Sequence, residues 1–278
     1  MPKHLSEVSG PGVYELDETV YHADTALTDT FGPSLSSTQA KTILHAPALY
    51  QYRKQHHEVK HVFDVGTAIH TLVLGSGAEF AVLDFPDRRS KAYKEAETEA
   101  RGAGQTPILK KDYEPIKNAA DAVLTHPVAK RILADGKPEQ SIYATDDDTN
   151  TTMRGRLDWL RDNAVIDLKT VGQSAHPWRF AKTCADLGYD LQAAWYLQIL
   201  TAIGYPPDLP YLHVVVEKEP PHLVAVVQLD DESLAAGASQ AREALNLYTE
   251  CAATDTWPGY PEEITPITLP AYHLNKHL

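Results

Sequence analysis

Arg154-Gly155-Arg156-Leu157-Asp158-Trp159-Leu160-Arg161-Asp162-Asn163-Ala164-Val165-Ile166-Asp167-Leu168-Lys169-Thr170 reads as a β-hairpin. Two alternating runs flank Asp162-Asn163, and Asp and Asn both tolerate the positive φ of a tight two-residue turn. With those two residues as the turn, Asp158 faces Asp167 and Arg156 faces Lys169. Strand side chains alternate, so this register puts Arg156, Asp158, Asp167 and Lys169 on one face. The apolar pairs Leu157–Leu168 and Trp159–Ile166 fall on the other.

Directly opposed carboxylates repel, and sheets avoid that pairing, so the hairpin implies a compensating charge. A divalent cation supplies it best. Hard oxygen ligands suit Mg²⁺ or Mn²⁺, and Mg²⁺ commonly takes one or two carboxylates plus water and phosphate. Lys169 points at the same place and is suited to orienting a water or stabilising charge on a phosphate. The pattern alone also fits a solvated hairpin face on which Asp, Lys and Arg neutralise one another, so the rest of the chain has to carry the choice.

A chain of 278 residues can bury one large core or two small ones. No repeat or low-complexity linker divides it, and one domain over 1–278 is expected: an arm (1–34), a core (35–252) and a Pro-rich tail (253–278). No apolar run reaches membrane-spanning length, and Met-Pro-Lys-His-Leu-Ser lacks a leader's apolar segment, so a cytoplasmic protein with no membrane partner is expected. Cys184 and Cys251 are too few and too distant for a cysteine-built metal centre. A formal net charge of −13 argues against a broad nonspecific nucleic-acid surface, which needs clustered Lys and Arg. A local basic groove or channel is still compatible with it.

Caps and breakers place the remaining elements. Ser36 or Ser37 starts a helix through Ile43 and Leu44, and Pro47 opens another. Ala68, Ile69, Leu72 and Val73 form an apolar helical stripe ending near Gly75. Helices follow over 90–101, 111–124 and 128–133, then strands over 140–145, 153–161 and 164–170. Two helices, 177–187 and 190–203, cross over to a strand pair, 212–217 and 223–229, before a last helix over 233–251. Antiparallel strands followed by a helical crossover imply an α/β fold: a central mixed sheet with helices on both faces and the hairpin near its middle.

Four segments in this order carry a family resemblance: Gly66-Thr67-Ala68-Ile69-His70; Asp158; Asp167-Leu168-Lys169-Thr170; and Tyr189-Asp190-Leu191-Gln192-Ala193-Ala194-Trp195-Tyr196. The series resembles the motifs of the PD-(D/E)xK nuclease superfamily, with its restriction-endonuclease-like core, and is most similar to the RecE-type exonuclease VIII branch near the RecB-like nucleases. Glu139-Gln140-Ser141-Ile142-Tyr143, Val215-Val216-Glu217-Lys218 and Trp257-Pro258-Gly259-Tyr260 extend it. Two positions depart: Leu157 stands where the name-giving proline would be, and the second acid is Asp167 rather than Glu.

The resemblance implies His70, Asp158, Asp167 and the Leu168 carbonyl as metal ligands, with Mg²⁺ as cofactor and Mn²⁺ able to replace it. Lys169 is then the catalytic lysine, Gln192 and Tyr196 lie at the catalytic face, and Glu139 is a candidate ligand for a second metal. Arg154, Arg156, Arg179 and Lys182 are candidate DNA phosphate contacts, on or just after the hairpin. The implied activity is exonucleolytic degradation of linear double-stranded DNA, 5′ to 3′, leaving 3′ single-stranded tails for recombination. A ring-shaped homo-oligomer such as a tetramer, a single-strand annealing partner and a phage origin go with it. A structure-specific or restriction-like endonuclease and a non-catalytic DNA-binding or assembly module are the alternatives.

Overall fold

The computed structural model describes residues 8–22, 33–56, 64–76 and 79–275. The described part of the arm holds β1 (Gly12–Tyr14) and α1 (Glu18–His22). β2 (Ser34–Ser36) runs into α2 (Ser37–His45) through a reciprocal cap. The Gln39 amide donates to Ser36 Oγ at 3.3 Å, and the Ser36 amide donates to Gln39 Oε1 at 2.9 Å. Pro47 opens α3 (Pro47–Gln55), as its missing N–H allows at a first helical turn. Then come α4 (Asp64–Leu74), β3 (Phe80–Leu83), α5 (Lys91–Gly102, capped by Ser90), β4 (Thr106–Leu109), α6 (Lys110–Thr125) and α7 (Pro127–Ile132).

The central strands are β5 (Lys137–Thr145), β6 (Thr152–Arg161) and β7 (Ala164–Val171). α8 (Pro177–Leu187) and α9 (Tyr189–Ala202) cross over to β8 (Tyr211–Glu217), and β9 (Val224–Gln228), α10 (Asp231–Thr254) and α11 (Ala271–Leu274) complete the chain. The sheet order is β1-β5-β6-β7-β8-β9, with β2 alongside β6. Pairing is antiparallel except β7–β8 and β2–β6. The hairpin is therefore central, in a mixed sheet with helices on both faces, as expected. Four short strands escaped the reading: β1, β2, and the separate parallel pair β3–β4.

Two apolar clusters cover the sheet. One joins α2, α9 and α10 to Ile142, Met153, Leu157 and Val165; Trp195 at its heart is fully buried, which contributes about 2–3 kcal/mol. The other joins α4 and α6 to Ile166, Leu168, Val214 and Val216. α10 approaches α9 backbone to backbone: a Cβ on Gly237 would lie 2.2 Å from the Asp190 carbonyl oxygen. The Pro-rich segment docks on α2 and α3, with Trp257 stacked on Tyr50 at 5.4 Å and Tyr260 Oη 2.9 Å from His45 Nε2.

The hairpin departs from its expected geometry in a way that makes the site. Asp162-Asn163 is the turn, but neither residue takes a positive φ. Such turns splay the strands they join. The β6–β7 ladder accordingly ends after Arg161↔Ala164, Leu160↔Val165 and Trp159↔Ile166. The expected continuations, Asp158 with Asp167, Leu157 with Leu168 and Arg156 with Lys169, are absent. Leu157 packs in the α9 cluster while Trp159, Ile166 and Leu168 pack in the α4–α6 cluster, so alternation breaks at Asp158. β2 occupies the same edge of β6 at Thr152–Arg154. The segment Gly155–Asp158 between β2 and β7 has no ladder partner on that edge.

Candidate active site

Side chains rather than a strand satisfy this open edge, as buried backbone groups require. Trp195 Nε1 donates to the Arg154 carbonyl at 3.0 Å. The Tyr196 hydroxyl hydrogen-bonds the Arg156 backbone and Ser37. Asp158 Oδ2 accepts the Leu168 amide at 2.7 Å, bridging the gap where the ladder failed. On the other edge the β5–β6 ladder skips the position where Glu139 meets Asp158. Glu139 has φ +55°, a left-handed conformation that is strained for a glutamate and recurs at functional sites.

Around this break lie His70, Glu139, Asp158, Asp167, Lys169 and Gln192. His70 Nδ1 is 3.7 Å from Asp158 Oδ2, and its ring also hydrogen-bonds the Leu168 backbone. Lys169 Nζ is 2.7 Å from Asp167 Oδ2 and 4.5 Å from the centre of the Tyr189 ring. Gln192 spans both: its Nε2 donates to Asp167 Oδ1 at 3.0 Å, and its Oε1 accepts from Lys169 Nζ at 3.4 Å. Tyr211 Oη donates to the same Asp167 Oδ1 at 3.0 Å. Asp167 Oδ2 has no partner in hydrogen-bonding geometry, so Lys169 faces it as an ion rather than as a well-aligned donor.

The electrostatics follow from crowding two acids in one recess. Burial, then the charge of Asp167, pushes the Asp158 carboxyl up to about 7. Burial would raise Asp167 too, but Lys169 and then His213 outweigh it and hold that acid below the ordinary range. Burial works against charge on Lys169, whereas Asp167 and Asp158 hold its pKa above a normal lysine's. Burial and the nearby Lys169 lower His70, leaving a neutral imidazole with a lone pair to offer. One acid is thus matched by the lysine, and the other is left short of positive charge.

The donors fit a divalent cation in kind: hard carboxylates, among them the buried Asp167 Oδ2 with no hydrogen bond of its own, and an imidazole. Among the described residues, however, no three His, Cys, Asp or Glu side chains stand in metal-holding geometry. Lys169 occupies the position on Asp167 that a cation would contest.

The remaining candidates scatter. Tyr196 sits against Gly155, where a Cβ would meet its ring at 2.6 Å, and braces the open edge rather than touching the carboxylates. Arg154 is buried and Arg156 is largely withdrawn from the surface. Arg154 is 8% exposed over the Tyr21 ring, and Arg156 donates to Glu139 Oε2 at 2.7 Å, the Leu16 carbonyl at 2.8 Å and Ser141 Oγ at 3.2 Å. Both guanidiniums lie beneath the arm, held by protein groups. Arg179, which donates to Gln173, and the exposed Lys182 lie on α8 beside Trp178, which is 67% exposed. An open cleft of about 800 Å³ lies at the turn end of the hairpin, away from the carboxylates.

The sequence reading missed Tyr211 and His213, which a parallel neighbour strand brings beside Asp167, and gave no role to Tyr189.

Residues 36–270 match the family model described as a PDDEXK-like domain of unknown function (DUF3799). The crystal structure of a protein named "putative exonuclease" from Eubacterium rectale superposes with a TM-score of 0.63 over 95% of this chain and 100% of that one, at 11% identity. A phage-related exonuclease from Haemophilus somnus 129PT aligns over 80% of this chain and 96% of its own, at 13% identity and a TM-score of 0.36, too low to argue a shared fold. No sequence among the curated proteins matches the chain. Among the described residues, no helix is long and apolar enough to cross a membrane.

Proposed function

The chain belongs to the PDDEXK-like domain family, and from that premise we propose that it is a Mg²⁺-dependent exonuclease acting on the ends of linear double-stranded DNA. The observation that carries the reading is the pairing of an overcharged recess with a resident lysine, at a break in the sheet that the fold keeps open. Nucleases of the PD-(D/E)xK type generally use divalent metal ions, which lower the pKa of a bound water and neutralise charge on a phosphate.

Asp158, Asp167, His70 and the Leu168 carbonyl would hold the ion, with Glu139 available to a second one. Mn²⁺ would replace Mg²⁺, since it accepts the same oxygen and nitrogen donors. Lys169, held by Asp167 and Gln192, presents an ammonium to the scissile phosphate, where it stabilises developing negative charge. Gln192 keeps acid and lysine in register, and Tyr211 helps hold the same Asp167 oxygen that Gln192 holds. Tyr196 serves the same chemistry at one remove, by holding the β6 edge open. Arg179 and the exposed Lys182 offer cations to the DNA backbone. Polarity from 5′ to 3′, a ring-shaped homo-oligomer and a single-strand annealing partner in phage recombination complete the proposal. A ring also fits a subunit of net charge −13, because only its channel needs to be basic.

End-labelled linear duplex and covalently closed circles, incubated with Mg²⁺ or with excess chelator, test it. Linear DNA is consumed only with the cation, and circles survive until a break exposes an end. Cleavage in chelator would remove the metal from the proposal, and circles cut as fast as linear DNA would replace the exonuclease by an endonuclease. Light scattering should give a mass several times that of one chain.

A further inference from the structure

Lys41, on α2, is a half-buried cation with no counter-ion among the described residues. Among the described residues no carboxylate comes within ion-pair distance of it; its Nζ donates to the Leu187 carbonyl at 3.1 Å, at the C-terminal end of α8. The same ammonium lies 5.9 Å from the centre of the Tyr189 ring, the ring that Lys169 Nζ approaches at 4.5 Å. Two ammoniums on one aromatic ring repel, and only Lys169 has an acid to relieve it. Of the acids that act on Lys41 from further off, Asp167 is engaged with Lys169, Tyr211 and Gln192, and Asp190 accepts from Gln240 Nε2 at 2.6 Å through Oδ2, while its Oδ1 is buried without a hydrogen bond and lies beyond ion-pair distance of Lys41.

The position is built rather than casual. Gly188 joins α8 to α9 at φ +63°, and a Cβ there would strike Lys41 Cδ at 2.8 Å. A left-handed glycine thus gives the lysine stem its channel between α2 and the α8–α9 corner. Burial first, then the charge of Lys169, lowers the Lys41 pKa to about 8, the behaviour of an ammonium short of negative charge.

A group of this kind next to a centre that addresses a phosphodiester lacks one thing, an anion. We infer that Lys41 binds a non-bridging oxygen of the substrate phosphate neighbouring the one held at Asp158, Asp167 and Lys169, and so sets which linkage enters the site. This rests on the nuclease reading above.

The test is the salt dependence of binding in chelator, where no cleavage occurs, read from the anisotropy of a short fluorescein-labelled duplex. Each phosphate contact contributes about 0.9 to the slope of log affinity against log salt, so Lys41→Met should lower the slope by about one and weaken binding about tenfold at low salt. Lys41→Arg should restore the slope, and Lys94→Met on the exposed face of α5 should leave it unchanged. A second measurement needs no variant: DNA should protect Lys41 of the native chain from amine acylation, read by peptide mass spectrometry. An unchanged slope in Lys41→Met, or equal acylation with and without DNA, overturns the inference while native cleavage of linear duplex leaves the nuclease reading standing. A native chain that neither binds nor cuts DNA overturns both.

Discussion

Asp146 and the Asp158–Asp167 pair are carboxylates withdrawn from solvent toward opposite ends of the same sheet, and the fold treats them in opposite ways. Asp146, 5% exposed at the end of β5, is fully furnished. It accepts from the Thr149 amide at 3.0 Å and hydroxyl at 2.7 Å, from Gln198 at 3.1 Å, and from Arg242 at 2.8 and 2.6 Å. Burial would raise its pKa, but the hydrogen bonds from Arg242 and Thr149 win and hold it below the ordinary value. Asp158 has the Leu168 amide and a neutral histidine at 3.7 Å, and a second carboxylate beside it. The first acid ties α9 and α10 to the sheet and asks for nothing more. The second site carries more negative charge than its own donors settle, and that surplus is what a cation and a phosphate-cleaving reaction would use.

Substitutions that remove charge should separate the two. Asp158→Asn and Asp167→Asn are expected to lower cleavage of linear duplex by about three orders of magnitude, as loss of a principal electrostatic contact does, while melting no lower than the native chain. Near-native rates at saturating Mg²⁺ would dissolve the contrast. Lys169→Ala should abolish cleavage to a similar degree and keep cation binding; calorimetry showing that binding lost would assign the lysine a structural part. Asp146→Asn should do the reverse. With Arg242 about one-third exposed the loss is moderated by solvent, about 2 kcal/mol or roughly 5 °C of melting temperature, with cleavage retained in the folded fraction. Tyr211→Phe removes one hydrogen bond to Asp167 and should slow cleavage about tenfold without a change in melting; an equal loss in both would make it a packing residue.

The smallest effect is in pH. Asp146 has a folded pKa below its unfolded value, so its contribution is present above the unfolded value of about 3.9 and is lost as pH falls through the folded one. The stability gap between the native chain and Asp146→Asn should therefore be constant near neutrality and shrink in acid. A gap that widens in acid would reverse the assignment.

The contrast between the two sites was only half visible in the sequence. Local chemistry wrote the elements plainly: Ser36 or Ser37, Ser90, Pro47 and Pro177 mark helix starts that the structure reproduces within a residue or two. The period-2 pattern showed the hairpin but not where it parts, because alternation continues through Asp158 without a blemish and only the turn conformation and the Leu168 contact reveal the break. Strands of three or four residues such as β2 hold too few side chains to show a period, and β2 is what takes the other half of the β6 edge. Tyr211 and Lys41 belong to the site through a crossover and a helix packing, distances that no local pattern encodes. Asp146 opens a run of three consecutive acids, Asp146-Asp147-Asp148, in which no local pattern marks the buried one.

Gly237 extends the site's reach across the molecule. Its missing side chain is the space into which the start of α9 settles, and Tyr189 and Gln192 ride on that first turn. Every residue other than glycine places an atom inside the Asp190 carbonyl, so α9 must shift or α10 must lift. In an exhaustive survey of single substitutions selected for DNA degradation, position 237 would be as intolerant as the carboxylates, though it faces no substrate. A map of sensitivity would then draw the active site larger than the chemistry does, with an outline following the rigid path from α10 to Lys169.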